Sequence, residues 1–322
     1  MPAVDAERQA GGMGVALRDP WPWPVFSGLA RLAEALGYGA VFLPEIAGRD
    51  ALAALTGLAG ETRTMRLGTG VVPMPSRSLD LTAMAVATVH ERSDGRAILG
   101  IGTGPARPGA LDALRAAVTE LRVRLAGPGA DAPDAPTVTL PWRVPVWIAA
   151  LGPKAMRLAG EVADGVLLNW CPPARVETAR AEIAEGAEAA GRDPAEVEVG
   201  VYVRASLGGD QDAAIHALRR ATGEYASYPA YARQLASVGL GEVAEAAAAA
   251  HRAGRDGDVP LGLVREVSLV GDREAARERL DAYRRAGADL AIVYPVAAGS
   301  DPAVAVADTL EALRPARLHP GA

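Results

Sequence analysis

The sequence is poor in cysteine, aromatic residues and lysine, and each shortage narrows the classes of protein it can encode. Cys171 is the only cysteine among 322 residues. This excludes an internal disulfide framework and a cysteine-rich metal site, and it favours the reducing cytoplasm. Aromatic residues make up 4% of the chain, so a large core must be built mainly from Ala, Val and Leu. Lys154 is the only lysine in a chain otherwise rich in arginine.

An excess of positive charge and long hydrophobic runs are also missing. The formal net charge of −6 offers no general attraction to nucleic acid or to an anionic membrane surface. Residues 1–12 carry Asp5, Glu7 and Arg8 and no apolar run, unlike a secretory signal or a membrane anchor. No run of about 18 apolar residues follows. We therefore expect a soluble protein whose partner is a small molecule.

Short apolar runs alternate with longer segments of helical periodicity along the chain. Eight runs are typical of buried strands: Met13–Leu17, Ala40–Leu43, Arg66–Val71, Ala97–Ile101, Val146–Ala149, Gly165–Leu168, Val197–Val203 and Leu290–Tyr294. The segments with the spacing of amphipathic helices include Val25–Leu36, Leu79–His90 and Pro153–Ala163. Gly37 is a signal for a helix end, and Asp50 is placed to cap a further helix.

This alternation predicts an α/β fold, a (β/α)8 TIM barrel, because the strands are too apolar to face water and no Lys or Pro protects a sheet edge. A doubly wound open sheet is the alternative. The stretches Gly127–Pro145 and Asp210–Gly257 interrupt the rhythm and are interpreted as barrel insertions. The run Ala246–Ala250 predicts a surface helix. We expect one barrel domain over residues 13–315, between tails of residues 1–12 and 316–322.

Glycine-rich segments follow the third and fourth predicted strands, where a parallel barrel carries its functional groups. These segments are Gly68-Thr69-Gly70-Val71-Val72-Pro73 and Gly100-Ile101-Gly102-Thr103-Gly104-Pro105. Their glycines would let the backbone approach a flat ligand closely, or they simply end the strands in a turn. The second segment is not a dinucleotide fingerprint, because Pro105 stands where a third glycine should open a helix.

The fifth predicted strand runs directly through a glycine turn into a helix. The segment reads Pro145-Val146-Trp147-Ile148-Ala149-Ala150-Leu151-Gly152-Pro153-Lys154. Pro153 suits the first position of a helix, where free amides and the helix dipole form a seat for an anion such as a phosphate. Lys154 would add a positive charge to that seat, or it is a solvated surface residue.

Three motifs occur in order: L-G-T-G-V-V, G-R-x-x-L-G-I-G-T-G and P-V-W-I-A-A-x-G-P-K-x-x-x-x-A-G-E-x-A-D-G. In this order they resemble the luciferase-like monooxygenase superfamily, and the similarity runs from Met13 to about Leu313. The best match is the branch that depends on coenzyme F420, an 8-hydroxy-5-deazaflavin, and that includes methylenetetrahydromethanopterin reductase-like enzymes. The resemblance implies a (β/α)8 barrel, often a homodimer, that binds a flavin or deazaflavin at its C-terminal mouth.

The resemblance also implies site residues. Gly70-Val71 is the place of a non-prolyl cis peptide behind the ring of the cofactor. The expected cofactor-binding residues are Thr69, Gly70, Val71, Gly102, Thr103, Gly104, Ala149, Ala150, Leu151, Gly152, Pro153 and Lys154. Arg107 and Arg175, on adjoining loops, would meet the anionic tail of a deazaflavin or are merely solvated. Asn169, Trp170 and Cys171 would line the substrate mouth, although a packing role for Cys171 is the simpler interpretation.

Two departures from the family pattern narrow the activity. Glu45-Ile46 stands where many relatives carry an Asp-His pair, and Pro105 stands where the sugar-phosphate dehydrogenase branch places a Glu. These differences weigh against glucose-6-phosphate dehydrogenase activity, and the absence of the luciferase histidines weighs against a long-chain aldehyde reaction. Glu45 is the candidate catalytic acid, or a solvated loop acid.

The resulting hypothesis is a coenzyme F420-dependent oxidoreductase that transfers a hydride to or from an uncharged or modestly polar organic substrate. No metal or nucleophile is required, because the cofactor supplies the chemistry and the protein supplies orientation. One alternative is an FMN-dependent monooxygenase that uses oxygen on the same scaffold. A second alternative is a binding barrel that has no catalytic activity.

Overall fold

The computed structural model describes residues 12–18, 21–105, 107–127 and 140–316. The predicted tails, including the N-terminal segment without a leader pattern, lie almost wholly outside the described residues. Most of the predicted insertion Gly127–Pro145 lies outside them as well. Within the described residues, no helix is both long enough and apolar enough to cross a membrane.

Eight parallel strands form a closed barrel. They are β1 (Gly12–Ala16), β2 (Ala40–Leu43), β3 (Arg66–Thr69), β4 (Ala97–Gly102), β5 (Val146–Ala149), β6 (Gly165–Asn169), β7 (Glu198–Ala205) and β8 (Leu290–Pro295). Each pairs with its neighbours in chain order, and β8 pairs with both β7 and β1. The predicted barrel is therefore confirmed, and the open-sheet alternative is wrong because no edge is left between β8 and β1.

Helices surround the barrel and extend one connection. They are α1 (Trp23–Leu36), α2 (Ala51–Ala59), α3 (Leu79–Arg92), α4 (Ala110–Arg124), α5 (Pro153–Val162), α6 (Pro173–Ala189), α7 (Gln211–Ala226), α8 (Pro229–Ala236), α9 (Gly241–Arg252), α10 (Leu261–Val267), α11 (Arg273–Arg285) and α12 (Pro302–Ala312). Two predicted helix boundaries are confirmed. Gly37 ends α1 in the left-handed conformation, with φ of 96°, and the Asp50 carboxylate accepts a hydrogen bond from the Ala53 amide at 2.9 Å.

The barrel interior holds large rings that small residues accommodate. Phe42, Trp147, Tyr202 and Tyr294 belong to one buried cluster inside the strands. A methyl group on Gly68 would overlap the Phe42 ring. The ring therefore occupies the space that the side chain of any other residue at position 68 would need. Aliphatic side chains fill the second layer, between the strands and the helices. Four of the chain's few aromatic residues thus fill the barrel interior.

The predicted insertion Asp210–Gly257 is helical, and it stands on the C-terminal side of β7. Helices α7 to α10 enclose their own hydrophobic cluster, to which Trp170 contributes from the end of β6. The run Ala246–Ala250 lies in α9 as predicted, but it is not simply a surface helix. Ala247 and Ala248 are almost completely buried, because one face of α9 packs into this cluster.

His90, on α3, is buried in the layer between the strands and the helices. Its Nε2 atom lies 3.1 Å from the carbonyl oxygen of Trp142. Burial is the main cause that lowers the pKa of His90 from 6.5 to about 4. The folded protein therefore holds this imidazole neutral at pH values where the unfolded chain would protonate it.

This burial predicts a stability that falls on mild acidification. Because the folded pKa lies below the unfolded one, the contribution of His90 is complete above about pH 6.5 and is lost as the pH falls toward 4. Between about pH 7.5 and pH 5 the loss should be roughly 2 kcal/mol. Urea unfolding of the wild type and of His90→Gln, which keeps an amide donor but does not titrate, measures it. Identical pH dependence of the two proteins would contradict the prediction.

Candidate active site

The four loops predicted to carry function lie at one rim of the barrel. They follow β3, β4, β5 and β6, and because all eight strands are parallel, their C-terminal ends open on the same side. The insertion of helices α7 to α10 follows β7 and stands on that side as well. The loops that carry the candidate residues of the sequence analysis therefore lie together at the C-terminal end of the barrel.

The peptide bond between Gly70 and Val71 is cis, as the resemblance implied. It separates β3 from Val72–Pro73, a two-residue strand that pairs with the end of β4. The hydroxyl group of Tyr202, on β7, donates a hydrogen bond to the Gly70 carbonyl oxygen at 3.2 Å. A methyl group on Gly70 would overlap this hydroxyl, so the bond requires glycine at that position.

Thr69 does not face the mouth, which corrects its prediction as a cofactor-binding side chain. Its hydroxyl group is completely buried and donates to the Gly100 carbonyl at 2.7 Å, while it accepts from the Gly100 amide at 2.8 Å. Pairing of β3 with β4 stops at Gly68 and Ile98. The threonine side chain therefore takes the place of a strand partner where the backbone turns away into the cis peptide.

The loop after β4 presents backbone to the rim. Gly102 is buried, and a methyl group there would come within 2.8 Å of a Val71 methyl group, so the two loops are in close contact. Thr103 is half-buried and donates to the Gly104 carbonyl at 3.0 Å, and Gly104 is exposed with φ of 66°. Arg107 is exposed on the same loop, as expected.

The loop after β5 leads into an open helix N-terminus. Gly152 is the residue before α5, with extended backbone, and a methyl group there would meet nothing within 4 Å. No side chain caps the helix, and Pro153 occupies its first turn. Lys154 is exposed beside it. Ala149 and Leu151 are partly exposed, whereas Ala150 is buried in the core, so only its backbone can face the rim.

Arg175 supports this loop from behind and is not free to meet an anionic tail, which corrects that expectation. It lies in the first turn of α6 and is 2% exposed. Its Nη2 atom donates to the Leu151 carbonyl at 3.1 Å and to the Glu182 carboxylate at 2.8 Å. Since the guanidinium is paired internally, it positions the backbone just before Gly152.

Cys171 does not line the mouth. The side chain is 1% exposed and belongs to the main hydrophobic cluster, because the chain turns inward after the positive φ of Trp170. Burial raises the pKa of the Cys171 thiol to about 12, so it stays protonated at neutral pH. The packing interpretation fits this environment. Asn169, in contrast, is partly exposed at the rim, and its amide donates to the Tyr231 hydroxyl at 2.8 Å.

The Glu45 carboxylate contacts a backbone amide and an arginine side chain. Its Oε2 atom accepts from the Ala51 amide at 3.2 Å and lies 3.5 Å from the Arg77 guanidinium. Ala51 is the first residue of α2, so the carboxylate fixes the start of that helix. Through these contacts Glu45 orders the loop after β2. This structural role is a third interpretation, beside the catalytic acid and the solvated loop acid that were considered from the sequence.

Sequence reasoning missed a group of residues at the ends of β6, β7 and β8. Arg204, next to last in β7, is 4% exposed and packs against the rings of Trp170, Tyr225 and Tyr294. The predicted strand ended one residue earlier, at Val203. The available signal was a charged residue two positions after Tyr202, on the same face of a strand that is otherwise apolar.

A model of the family described as luciferase-like monooxygenase matches residues 15–290. The chain belongs to this family. Among the described residues, no group of three or more His, Cys, Asp or Glu side chains could hold a metal ion. The candidate active site is the rim that carries the cis peptide and the open start of α5.

Individual relatives point to the same family. The chain is 36% identical over 202 residues to 5,10-methylenetetrahydromethanopterin reductase of Methanolobus tindarius, a match that covers 58% of this chain and 61% of the relative. The chain thus matches less than two thirds of the length of the first curated relatives. Among solved structures, coenzyme F420-dependent tetrahydromethanopterin reductase from Methanopyrus kandleri superimposes with a TM-score of 0.72 at 22% identity, covering 94% of this chain and 97% of that one.

The fold is shared with an FMN enzyme as well. The oxygenating constituent of 3,6-diketocamphane monooxygenase of Pseudomonas putida, solved in complex with FMN, has a TM-score of 0.62 at 17% identity, covering 94% of this chain and 96% of that one. At such identities both structural matches establish the fold alone. The shared fold therefore does not choose between the two cofactors.

The hydrogen bonds of Thr69 predict that this residue determines stability. Thr69→Val keeps the shape but leaves the buried amide and carbonyl of Gly100 without their partner, so the free energy of unfolding should fall by about 2–4 kcal/mol. Thr103→Val is the matched control at a half-buried rim position, and it should cost less than about 1 kcal/mol. Urea unfolding followed by circular dichroism measures both. Equal losses for the two variants would refute the assignment.

Proposed function

We propose that this protein is a coenzyme F420-dependent oxidoreductase that transfers a hydride to or from a small organic substrate at the C-terminal mouth of the barrel. The observation that carries the proposal is the start of α5, where an uncapped helix N-terminus meets open space at Gly152 and the exposed Lys154. Such a helix start favours an anion such as a phosphate. The sequence similarity to curated enzymes named as F420-dependent supports the choice of a deazaflavin.

The described residues fit such a cofactor. The phosphate would lie at the backbone amides of Gly152 and Lys154, on either side of Pro153, and the glycine-rich backbone of Gly102 and Gly104 would allow close approach. The cis peptide at Gly70-Val71 would support one face of the ring. When bound, the deazaflavin accepts or donates the hydride.

The chain's own residues then position and shield the reactants. Tyr202 remains protonated because burial raises its pKa well above 10, so its hydroxyl can keep donating to the Gly70 carbonyl. This bond fixes the peptide on which the ring would rest. Glu45 orders the loop after β2 through Ala51 and Arg77, and we assign it no proton transfer. Any proton that the substrate requires would come from solvent.

The cofactor assignment predicts selective binding. Oxidised F420 should bind at low micromolar strength, and FMN should bind at least about tenfold more weakly, which corresponds to roughly 1.4 kcal/mol. Equilibrium dialysis of the purified protein with each cofactor measures both dissociation constants. Tighter binding of FMN, or rapid oxygen consumption with reduced FMN, would assign the protein to the monooxygenases. Binding of neither cofactor would favour a barrel that has no catalytic activity.

The phosphate position predicts a strong effect of charge at Gly152. Gly152→Asp places a carboxylate at the helix start, where the amides and the dipole can satisfy only one anion, so F420 binding should weaken by at least about tenfold. Gly152→Ala is the matched control. Its methyl group meets nothing within 4 Å and its φ of −99° suits any residue, so binding should be unchanged. Unchanged binding by Gly152→Asp, with the fold intact by circular dichroism, would contradict the phosphate assignment.

Lys154→Ala provides a second measurement at the same position. The exposed lysine should contribute a smaller electrostatic effect, so the difference between the variant and the wild type should fade as salt rises. Fluorescence titration with F420 over a range of ionic strength would show this. A loss of binding that does not depend on salt would identify Lys154 as a structural residue.

A further inference from the structure

The residues around Arg204 form a cluster that the cofactor proposal does not use. The Arg204 cluster consists of Arg204, Asn169, Trp170, Tyr225, Tyr231 and Tyr294. The guanidinium carbon lies 4.2 Å from the ring centre of Tyr294, 4.6 Å from that of Trp170 and 5.3 Å from that of Tyr225. The arginine is thus enclosed by aromatic faces at the ends of three neighbouring strands and under the helical insertion.

Arg204 is buried without a counter-ion. Among the described residues no carboxylate forms an ion pair with it, and its hydrogen bond goes to the neutral side-chain oxygen of Asn169. Arg175, which is buried to the same degree, pairs with Glu182 in the usual way. Burying an unpaired charge is costly, and contacts with aromatic faces offset only part of that cost. Within the described residues, no carboxylate therefore neutralises this positive charge.

A second donor in the cluster also lacks a partner. The indole Nε1 of Trp170, which belongs to one of the rings that enclose Arg204, is buried and makes no hydrogen bond within the described residues. Gln234 fixes this part of the chain, because its Nε2 donates to the carbonyls of Asn169 and Trp170 at 2.9 and 2.8 Å. Burial raises the pKa of Tyr294, and the charges of Arg204 and of Arg18, on the loop after β1, oppose that rise. Positive charge and a free N–H donor thus occur together.

The cluster faces the part of the mouth where a substrate would lie. Tyr202 and Arg204 are two residues apart on β7 and point to the same side, into the barrel. Tyr202 reaches the Gly70 carbonyl, so Arg204 stands one layer nearer the rim. In the closed ring of eight strands β3 and β7 are opposite each other. A cofactor ring with one face against Gly70-Val71 would therefore have its other face toward Arg204.

We propose that the Arg204 cluster binds the carboxylate of an anionic organic substrate whose adjoining part is flat and apolar. The guanidinium would pair with the carboxylate through two N–H groups, and the rings of Trp170, Tyr225 and Tyr294 would contact the apolar part. The proposal rests on the proposed function, because a ligand bound here is a substrate only if the barrel is an enzyme. It replaces the expectation of an uncharged or modestly polar one.

The test compares benzoate with benzamide, which has nearly the same shape and no charge, by calorimetric titration of the protein without cofactor. The wild type should bind benzoate at least about tenfold more tightly. Arg204→Met should abolish this preference, whereas Arg233→Met, at an exposed arginine of α8, should retain it. Equal binding of the two probes by the wild type, or a preference that survives in Arg204→Met, would overturn the proposal.

Two further measurements separate this site from the cofactor site and from a structural role. The F420 dissociation constant should change less than about twofold in Arg204→Met, and benzoate should not compete with F420. A matching loss of F420 binding would overturn the proposal, because Arg204 would then serve the cofactor. Failure of the wild type to bind F420 would refute the proposed function but leave the benzoate result standing.

The Tm of Arg204→Met should be unchanged or higher, because an unpaired buried charge is removed, and a lower Tm would indicate a structural arginine.

Discussion

The volume inside the barrel is the constraint on which the rim depends. Four rings, those of Phe42, Trp147, Tyr202 and Tyr294, occupy the interior of a chain that has few aromatic residues. Glycines on the strands make room for these rings, and the Tyr202 hydroxyl reaches across to the Gly70 carbonyl. The backbone beside the cis peptide is thus in contact with a ring that belongs to the barrel interior.

The rim combines backbone that is held firmly with side chains that are left unsatisfied. Thr69 replaces a strand partner beside the cis peptide, and Arg175 holds the Leu151 carbonyl just before the open helix start. The backbone that would receive a cofactor is therefore preorganised from behind. Arg204 and the Trp170 indole differ, because each lacks an expected partner within the described residues. Such unsatisfied groups are typical of surfaces that bind a ligand.

The fold could be predicted from the sequence because its signals are local. Apolar runs gave the eight strands, Gly37 and Asp50 gave helix boundaries, and parallel strands brought the glycine-rich loops to one rim. The direction of individual side chains could not be predicted in this way. Arg175 donates to the Leu151 carbonyl, 24 residues earlier, and the Cys171 carbonyl accepts from Tyr283, 112 residues later, and neither contact has a local signal in the sequence. The burial of Arg204 could not be predicted from the sequence, because hydrophobic patterning assigns an arginine without a carboxylate partner to the surface.

We propose that one rim of this barrel holds a deazaflavin between the Gly70-Val71 peptide and the start of α5. A crystal structure of the protein grown with oxidised F420 tests it most directly. The account predicts that one face of the ring contacts the cis peptide, that the phosphate accepts hydrogen bonds from amides at Gly152 and Lys154, and that Arg204 stands free of the cofactor on the other face. A phosphate bound elsewhere, or a ring placed against the Arg204 cluster, would contradict it.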